Sequence, residues 1–174
     1  LEAIAASLLG KEDALFVPSG TMGNMIALMV QAPAGSCIAV DKDAHIYRME
    51  KGNFIEGFHG FKPVFVPARR GFYDLDVLDK ILSCGHVSLV CIENTHNFAG
   101  GTVLSPEQTE AIADVCARHE VLLHLDGARV FHAAAALGVD ASDLVRRVDS
   151  VMVCLSKGLC APVGSMLAGT RDFV

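Results

Sequence analysis

Ser150-Val151-Met152-Val153-Cys154-Leu155-Ser156-Lys157-Gly158 is the stretch that decides the fold. Its run from Val151 to Leu155 is apolar and rich in valine and leucine, which is typical of a strand buried on both faces of a sheet. A Ser-Lys-Gly turn follows, so the strand ends by presenting the amine of Lys157 at the sheet edge. Two interpretations are open. Lys157 is either a surface lysine just past a strand end, or an amine held against apolar surface, where desolvation favours its neutral and nucleophilic form.

The alternation of apolar strands with helices extends along the whole chain. Further strands are predicted at residues 14–17, 37–40, 64–66, 88–92, 121–125 and 164–168. The clearest helix signal predicts Ser105 as N-cap, Pro106 as the first helical residue and Gln108 as the partner in a capping box. Together these signals predict an α/β fold, with a mainly parallel seven-stranded sheet and helices on both faces.

Three other predictions concern helices. Apolar residues at helical spacing predict a helix over residues 1–9, with Gly10 as a left-handed C-cap. A second helix follows Pro18, and we interpret its methionine-rich face, within residues 22–30, as core. Asp43 is the predicted N-cap of a short helix at His45.

The composition limits the classes of function. The 174 residues, 52% of them hydrophobic, are enough for one domain with a sizeable core. Every apolar run stops short of membrane-spanning length, and a net charge of −6 without a basic stripe argues against a nucleic-acid surface. The six cysteines lack zinc-ligand spacing, so we expect no metal site and a reducing, cytoplasmic location.

Chemically able side chains follow several of the predicted strands. In open α/β sheets, ligands bind at the carboxyl ends of the strands, so these side chains are expected to converge. They are Ser19, Gly20, Thr21, His45, Glu93 to Asn97, Asp126, Arg129 and Lys157.

Each of these groups also has an ordinary structural interpretation. Gly20-Thr21 opens a helix and suits a phosphate, although serine and threonine also cap helices routinely. Asp126 ends a nearly apolar strand and needs either Arg129 or a ligand's protonated nitrogen as partner. His45 taken alone is more often a structural histidine, and His124 within its strand is interpreted as structural. Together, however, a phosphate-ready helix start, a carboxylate, an arginine and a reactive lysine are the groups that hold pyridoxal phosphate.

Five ordered motifs carry a resemblance to a known family. They resemble the successive motifs of low-specificity L-threonine aldolases, which belong to fold type I of the pyridoxal phosphate enzymes. The resemblance implies that residues 1–174 are the cofactor-binding large domain, with an incomplete N-terminal segment and without the small C-terminal domain. The motifs are Ser19-Gly20-Thr21-Met22-Gly23-Asn24, Asp43-Ala44-His45-Ile46, Glu93-Asn94-Thr95-His96-Asn97, His124-Leu125-Asp126-Gly127-Ala128-Arg129 and Leu155-Ser156-Lys157-Gly158-Leu159.

The resemblance also implies a role for each site residue. Lys157 would hold pyridoxal phosphate as a Schiff base, Asp126 would pair with the pyridine nitrogen, and Arg129 would contact the ring's phenolic oxygen. Gly20-Thr21 would hold the phosphate. His45 would stack on the ring near the substrate hydroxyl.

The activity implied is cleavage of L-threonine or L-allo-threonine to glycine and acetaldehyde by retro-aldol chemistry. His45 is the favoured general base, with His96 as an alternative and Glu50 as a weaker one. No residue of the chain matches the arginine that the C-terminal domain supplies to the substrate carboxylate in the family. In the family the active site lies at a dimer interface, so the resemblance also implies a homodimer or homotetramer. The alternatives are another fold type I lyase or transaminase, and a catalytically silent fragment with exposed apolar surface.

Overall fold

The computed structural model describes residues 1–55 and 59–174. Strands and helices alternate along most of these ranges, with a 3-10 turn over Lys51–Phe54. The helices are α1 Glu2–Leu9, α2 Gly20–Gln31, α3 His45–Arg48, α4 Leu75–Ser83, α5 Pro106–Arg118, α6 Val130–Leu137 and α7 Ala141–Val145. The strands are β1 Asp13–Val17, β2 Cys37–Val40, β3 Lys62–Phe65, β4 Ala68–Arg69, β5 Phe72–Tyr73, β6 Val87–Glu93, β7 Leu122–Asp126, β8 Ser150–Cys154 and β9 Ser165–Gly169.

Seven of these strands form one sheet in the order β3-β2-β6-β7-β8-β9-β1. The pairs from β3 to β8 are parallel, whereas β9 runs antiparallel to both of its neighbours. This confirms the predicted seven-stranded, mainly parallel sheet, with strand ends shifted by one or two residues. The short β4-β5 pair lies outside that sheet and was not predicted.

Helices cover both faces of the sheet, as predicted. All five residues of β8 are buried, and they alternate between the two faces as a strand requires. Val151 and Val153 pack in the larger core cluster with residues of α1, α4, α5, α6 and α7, whereas Met152 packs against Ala27 of α2 on the opposite face. The apolar run from Val151 to Cys154 in β8 follows from this double burial.

Local capping predictions are confirmed at two helices. Gly10 ends α1 with φ of 60° and ψ of 31°, the left-handed conformation that glycine adopts without a Cβ penalty. The α5 capping box forms between Ser105 and Gln108, each side chain accepting from the other's backbone N–H. The prediction for Asp43 is wrong: Ala44 is the N-cap of α3, and Asp43 instead forms an ion pair with Arg48.

The prediction that the methionine-rich face of α2 is core is also wrong. Met22 and Met29 are 39% and 47% exposed, and the buried residues of the helix are Gly23, Asn24, Ala27 and Leu28. The small residues face the sheet because α2 lies very close to it. A Cβ built on Gly23 would stand 2.7 Å from Cγ of Met152.

No helix in residues 1–55 and 59–174 is both long and apolar enough to cross a membrane.

Candidate active site

Most of the predicted site residues line one cavity at the carboxyl ends of β1, β7 and β8, whereas Glu93 to Asn97, which were expected to converge with them, do not line it. The cavity has a volume of about 370 Å³ and is lined by Gly20, Thr21, His45, Asp126 and Lys157, together with residues of the β8-β9 loop. Among the residues that the resemblance assigned to the site, Arg129 is the exception. Its Nη1 donates a hydrogen bond to Oδ1 of Asn97, 3.2 Å away, and it does not line this cavity.

The start of α2 forms one wall of the cavity. Ser19 caps the helix by accepting a hydrogen bond from the Met22 N–H at 3.2 Å. The N–H groups of Gly20 and Thr21 have no acceptor among the described residues, which is usual for the first turn of a helix. A Cβ on Gly20 would lie 2.8 Å from the Cys154 sulfur, so close packing of α2 on β8 requires glycine here. This wall offers free backbone donors and the positive end of the helix dipole.

Asp126 is the buried carboxylate of the site, with 2% of its surface exposed. Its Oδ1 accepts from the Ala128 N–H and its Oδ2 from the Asn24 Nδ2, both at 3.1 Å. It forms no ion pair with a lysine or arginine of the described ranges, so the alternative of a structural pair with Arg129 is not what the structure shows. Burial, followed by the negative charges of Glu93 and Glu50, raises the pKa of Asp126 to about 7.

Glu50 lies beside Asp126 and is 5% exposed. Its Oε1 accepts from Nδ1 of His45 at 3.2 Å and from Nδ2 of Asn24 at 3.1 Å, and Oγ1 of Thr21 lies 3.5 Å away. Its other oxygen, Oε2, is buried and without a hydrogen-bond partner in the part of the chain that the structure describes. A buried carboxylate oxygen without a donor is unfavourable, which makes this corner of the cavity suited to a ligand that donates.

His45 is held at the cavity by its backbone as well as by its ring. It is the first residue of α3, and its N–H donates to Oε2 of Glu93 at 2.8 Å. Its side chain is 28% exposed. The hydrogen bond to Glu50 raises the pKa of His45, although burial acts in the opposite direction. An imidazole that titrates near neutrality can both accept and release a proton.

Lys157 lies in the tight loop between β8 and β9 and lines the cavity. The loop is closed by hydrogen bonds from the N–H groups of Leu155 and Ala161, to the carbonyls of Gly164 and Leu155 respectively, both at 3.0 Å. Gly158 packs against the ring of His132 on α6, and a Cβ on Gly158 would stand 1.4 Å from that ring. This packing restricts the backbone next to the lysine.

His96 is brought to a different place from His45. It is 2% exposed, its Nε2 lies 3.0 Å from Oδ2 of Asp41, and its Nδ1 accepts from the Ala99 N–H. Burial disfavours its charged form, but the carboxylates of Asp41 and Glu93 raise the pKa of His96. His45 lines the cavity, whereas His96 does not.

Asn24 and Glu50 are site residues that reasoning from the sequence underrated. Asn24 is fully buried and donates to both Asp126 and Glu50. An asparagine inside an otherwise apolar helix was the available signal, since a buried amide requires polar partners. The ligand atoms of His45, Glu50 and Asp126 lie within 4.8 Å of one another, but Asn24 already donates to both carboxylates, so we interpret the cluster as a hydrogen-bond network rather than a metal site.

Comparisons with known proteins find relatives among the threonine aldolases. Low-specificity L-threonine aldolase 1 of Arabidopsis thaliana is 44% identical over 183 residues, covering 100% of this chain and 51% of the relative. The low specificity L-threonine aldolase of Escherichia coli (strain K12) is 37% identical, covering 100% of this chain and 53% of the relative. A solved structure of a candidate L-allo-threonine aldolase from Listeria monocytogenes EGD-E superposes with a TM-score of 0.87 at 30% identity, over 99% of this chain and 48% of that one.

The chain spans about half the length of the curated relatives that it matches. A family model described as beta-eliminating lyase matches residues 1–174, the entire chain. The sequence, the fold and the cavity therefore lead to one assignment, and the chain belongs to the beta-eliminating lyase family.

Proposed function

We propose that the protein is a pyridoxal phosphate-dependent aldolase that cleaves L-threonine or L-allo-threonine to glycine and acetaldehyde. The observation that carries this proposal is the single cavity in which Lys157, Asp126, His45 and the start of α2 meet. The names of the relatives, low-specificity L-threonine aldolase among them, support the same substrate class.

The residues of the cavity suit this cofactor. Asp126 is a buried carboxylate that forms no ion pair with a lysine or arginine of residues 1–55 and 59–174, which suits a protonated ring nitrogen. The free N–H groups of Gly20 and Thr21 suit a phosphate, and Lys157 supplies a primary amine. The volume of about 370 Å³ is also adequate for a small cofactor. Arg129, which bonds to Asn97 outside this cavity, would have to change partner to contact the ring's phenolic oxygen.

Pyridoxal phosphate, when bound, supplies an electron sink that stabilises negative charge on the α-carbon of an amino acid. Lys157 would provide the amine for covalent attachment, and Asp126 would keep a proton on the ring nitrogen. Gly20 and Thr21 bind the phosphate through backbone donors. The chain thus contributes attachment, orientation and electrostatics.

His45 acts as the general base in this proposal. Glu50 accepts the hydrogen bond from Nδ1 of His45, which leaves Nε2 as the ring atom able to accept a proton. His45 takes the proton of the substrate's β-hydroxyl group as the bond between the α- and β-carbons breaks and acetaldehyde leaves. Glu50 stabilises the imidazolium that forms, in the manner of a carboxylate that orients a catalytic histidine.

We also propose that the active form is a homodimer or homotetramer in a reducing compartment such as the cytoplasm. Apolar side chains remain exposed on α1 and α2, with Ile4 at 63%, Leu8 at 55% and Val30 at 57%. Exposed apolar side chains of this size favour association when they lie on a shared surface between subunits. All six cysteines are free thiols.

The proposal is tested by the visible absorbance of the full-length protein with pyridoxal phosphate, followed by borohydride reduction and peptide mass mapping. We expect the cofactor to be trapped on Lys157, and Lys157→Arg to abolish trapping. Lys80→Arg, at an exposed lysine on α4, is the matched control and should leave trapping unchanged. Labelling spread over many lysines would contradict the proposed attachment site.

Product analysis then separates the aldolase from its alternatives. Glycine and acetaldehyde from threonine support the proposal. A keto acid with ammonia indicates β-elimination, and amino transfer to an added keto acid indicates a transaminase. Trapping of the cofactor on Lys157 without formation of any product would support the alternative of a catalytically silent fragment.

A further inference from the structure

A chain of buried hydrogen bonds runs from the end of α2 through the sheet to the two carboxylates of the site. Nε2 of Gln31 contacts Oγ of Ser150 at 2.7 Å, and that oxygen lies 2.7 Å from Nδ1 of His124. Nε2 of His124 is 3.1 Å from Oδ1 of Asn24. Nδ2 of Asn24 reaches Glu50 and Asp126, each at 3.1 Å. Ser150, His124 and Asn24 are each 0% exposed.

The direction of every proton in this chain follows from the donors available. Gln31 donates one amide hydrogen to the Ala27 carbonyl at 3.1 Å and the other to Ser150. The Ser150 oxygen has a second lone pair, so this end of the chain does not by itself fix which ring nitrogen of His124 carries the proton. The other end does: the NH₂ group of Asn24 faces the oxygens of Glu50 and Asp126, so its Oδ1 faces Nε2 of His124 and can only accept. The ring proton is therefore on Nε2, and Nδ1 accepts from the Ser150 hydroxyl.

Asn24 is held in this orientation by that ring proton. Because Nε2 of His124 donates, the side chain of Asn24 keeps its oxygen toward the histidine and its NH₂ group toward the opposite side. The two amide hydrogens match the two contacts to Glu50 and Asp126. His124 is neutral in this arrangement, since burial lowers its pKa to about 3.

We propose that Gln31, Ser150 and His124 are positioning residues that hold the Asn24 amide in one orientation, with its NH₂ group bridging the carboxylates of Glu50 and Asp126. The interpretation of those carboxylates as part of a pyridoxal phosphate site rests on the proposed function. The orientation of Asn24 itself does not.

The arrangement has a direct electrostatic consequence. Two buried carboxylates this close repel each other, and hydrogen bonds donated to ionised groups are among the stronger ones in proteins. Above the pKa of about 7 that burial gives Asp126, both carboxylates are ionised, and Asn24, with its NH₂ group between them, stabilises both anions. Turned by 180°, it would place its oxygen against them and add to the repulsion.

Nuclear magnetic resonance of histidine labelled with ¹⁵N tests the orientation without any cofactor. The His124 signals are assigned by their loss in His124→Gln. We expect a neutral ring with its proton on Nε2 throughout pH 5–8. A proton on Nδ1, or a protonated ring at pH 6, would overturn the proposal in the parent protein, whatever the behaviour of the variants.

Cofactor affinity tests the consequence for the site. Ser150→Ala removes the hydroxyl group that donates a hydrogen bond to Nδ1 of His124. Asn24→Asp replaces the bridging NH₂ group with an oxygen. Each should raise the dissociation constant for pyridoxal phosphate by about tenfold or more, which corresponds to about 1.4 kcal/mol. Ser165→Ala is the matched control. Ser165 is also 0% exposed and lies on the adjacent strand, but its hydroxyl contacts the Cys154 sulfur and takes no part in the chain of hydrogen bonds from Gln31 to Asn24.

The outcomes separate this proposal from the proposed function. If Ser150→Ala and Ser165→Ala weaken the binding of pyridoxal phosphate equally, the chain of hydrogen bonds does not position Asn24 and the proposal fails. If the parent protein binds no pyridoxal phosphate, the proposed function fails, and the tautomer of His124 still decides the orientation of Asn24. Thermal melting of each variant excludes loss of the fold as the cause of weaker binding.

Discussion

Asp126→Asn is expected to stabilise the cofactor-free protein at high pH while weakening its binding of pyridoxal phosphate. The folded protein raises the pKa of Asp126 from an ordinary 3.8 to about 7, chiefly by burial. Below the lower value the carboxyl is protonated in both folded and unfolded chains, and above the higher value it is ionised in both. Between them the folded chain binds more protons, so its stability falls as the pH rises.

The size of the effect follows from these two pKa values. At about 1.4 kcal/mol for each pH unit between them, ionised Asp126 destabilises the fold at pH 8 by on the order of 4 kcal/mol. Asparagine removes this charge and keeps an oxygen for the Ala128 N–H, but its NH₂ group faces that of Asn24. That unsatisfied contact costs about 1–3 kcal/mol. The net gain at pH 8 is about 1–3 kcal/mol, and at pH 4.5 the variant is the less stable protein.

Urea unfolding of the cofactor-free parent and variant, repeated from pH 4.5 to pH 8, measures this difference. Comparing the two proteins at each pH cancels the titration of all other groups. Asp114→Asn is the control, because Asp114 is an exposed aspartate whose side chain is 58% accessible and pairs with Arg147. A difference in unfolding free energy between parent and Asp126→Asn that stays constant with pH would refute the reasoning.

Three further outcomes are expected. Gly20→Ala places a Cβ 2.8 Å from the Cys154 sulfur, so it should destabilise the fold by about 1–3 kcal/mol and weaken cofactor binding. Urea unfolding and absorbance titration would measure these two effects, and unchanged stability and binding would contradict the close packing of α2. His45→Phe keeps an aromatic ring but removes the proton acceptor, so the rate of threonine cleavage should fall by a factor of about 10²–10⁴ with the cofactor still bound. Cleavage at the full rate with an unaltered pH profile would exclude His45 as the base. Glu50→Gln removes the hydrogen-bonded charge that raises the pKa of His45, so the acid limb of the kcat/KM profile should move to lower pH; a limb that stays in place belongs to another group.

Much of the architecture is predictable from the sequence because its causes are local. The period-2 and period-3.6 apolar patterns locate the main strands and helices, and β8 is recognisable because a strand buried on both faces carries a continuous apolar run, here Val151 to Cys154. The Ser105 capping box and the Gly10 C-cap depend on backbone groups within a few residues. For the same reason, strand ends that carry Asp126 and Lys157 point to one edge of the sheet before any coordinates are known.

The buried face of α2 is a case in which local pattern misleads. Hydrophobicity alone assigns its methionines to the core, yet glycine and alanine face the sheet and the methionines remain exposed. The deciding quantity is the distance between helix and sheet. That distance depends on Met152, a residue of a strand far along the chain.

The sequence by itself determined the order of strands and helices, the family resemblance and the set of polar groups at the edge of the sheet. Only the tertiary structure decided their partners: Asn24 meets Asp126 across 102 residues of sequence, Arg129 bonds to Asn97, and Glu50 joins His45 in a buried corner. The physical reason is that hydrogen bonds and desolvation depend on distances between side chains that are remote in sequence. Such distances are set by packing and cannot be derived from local composition.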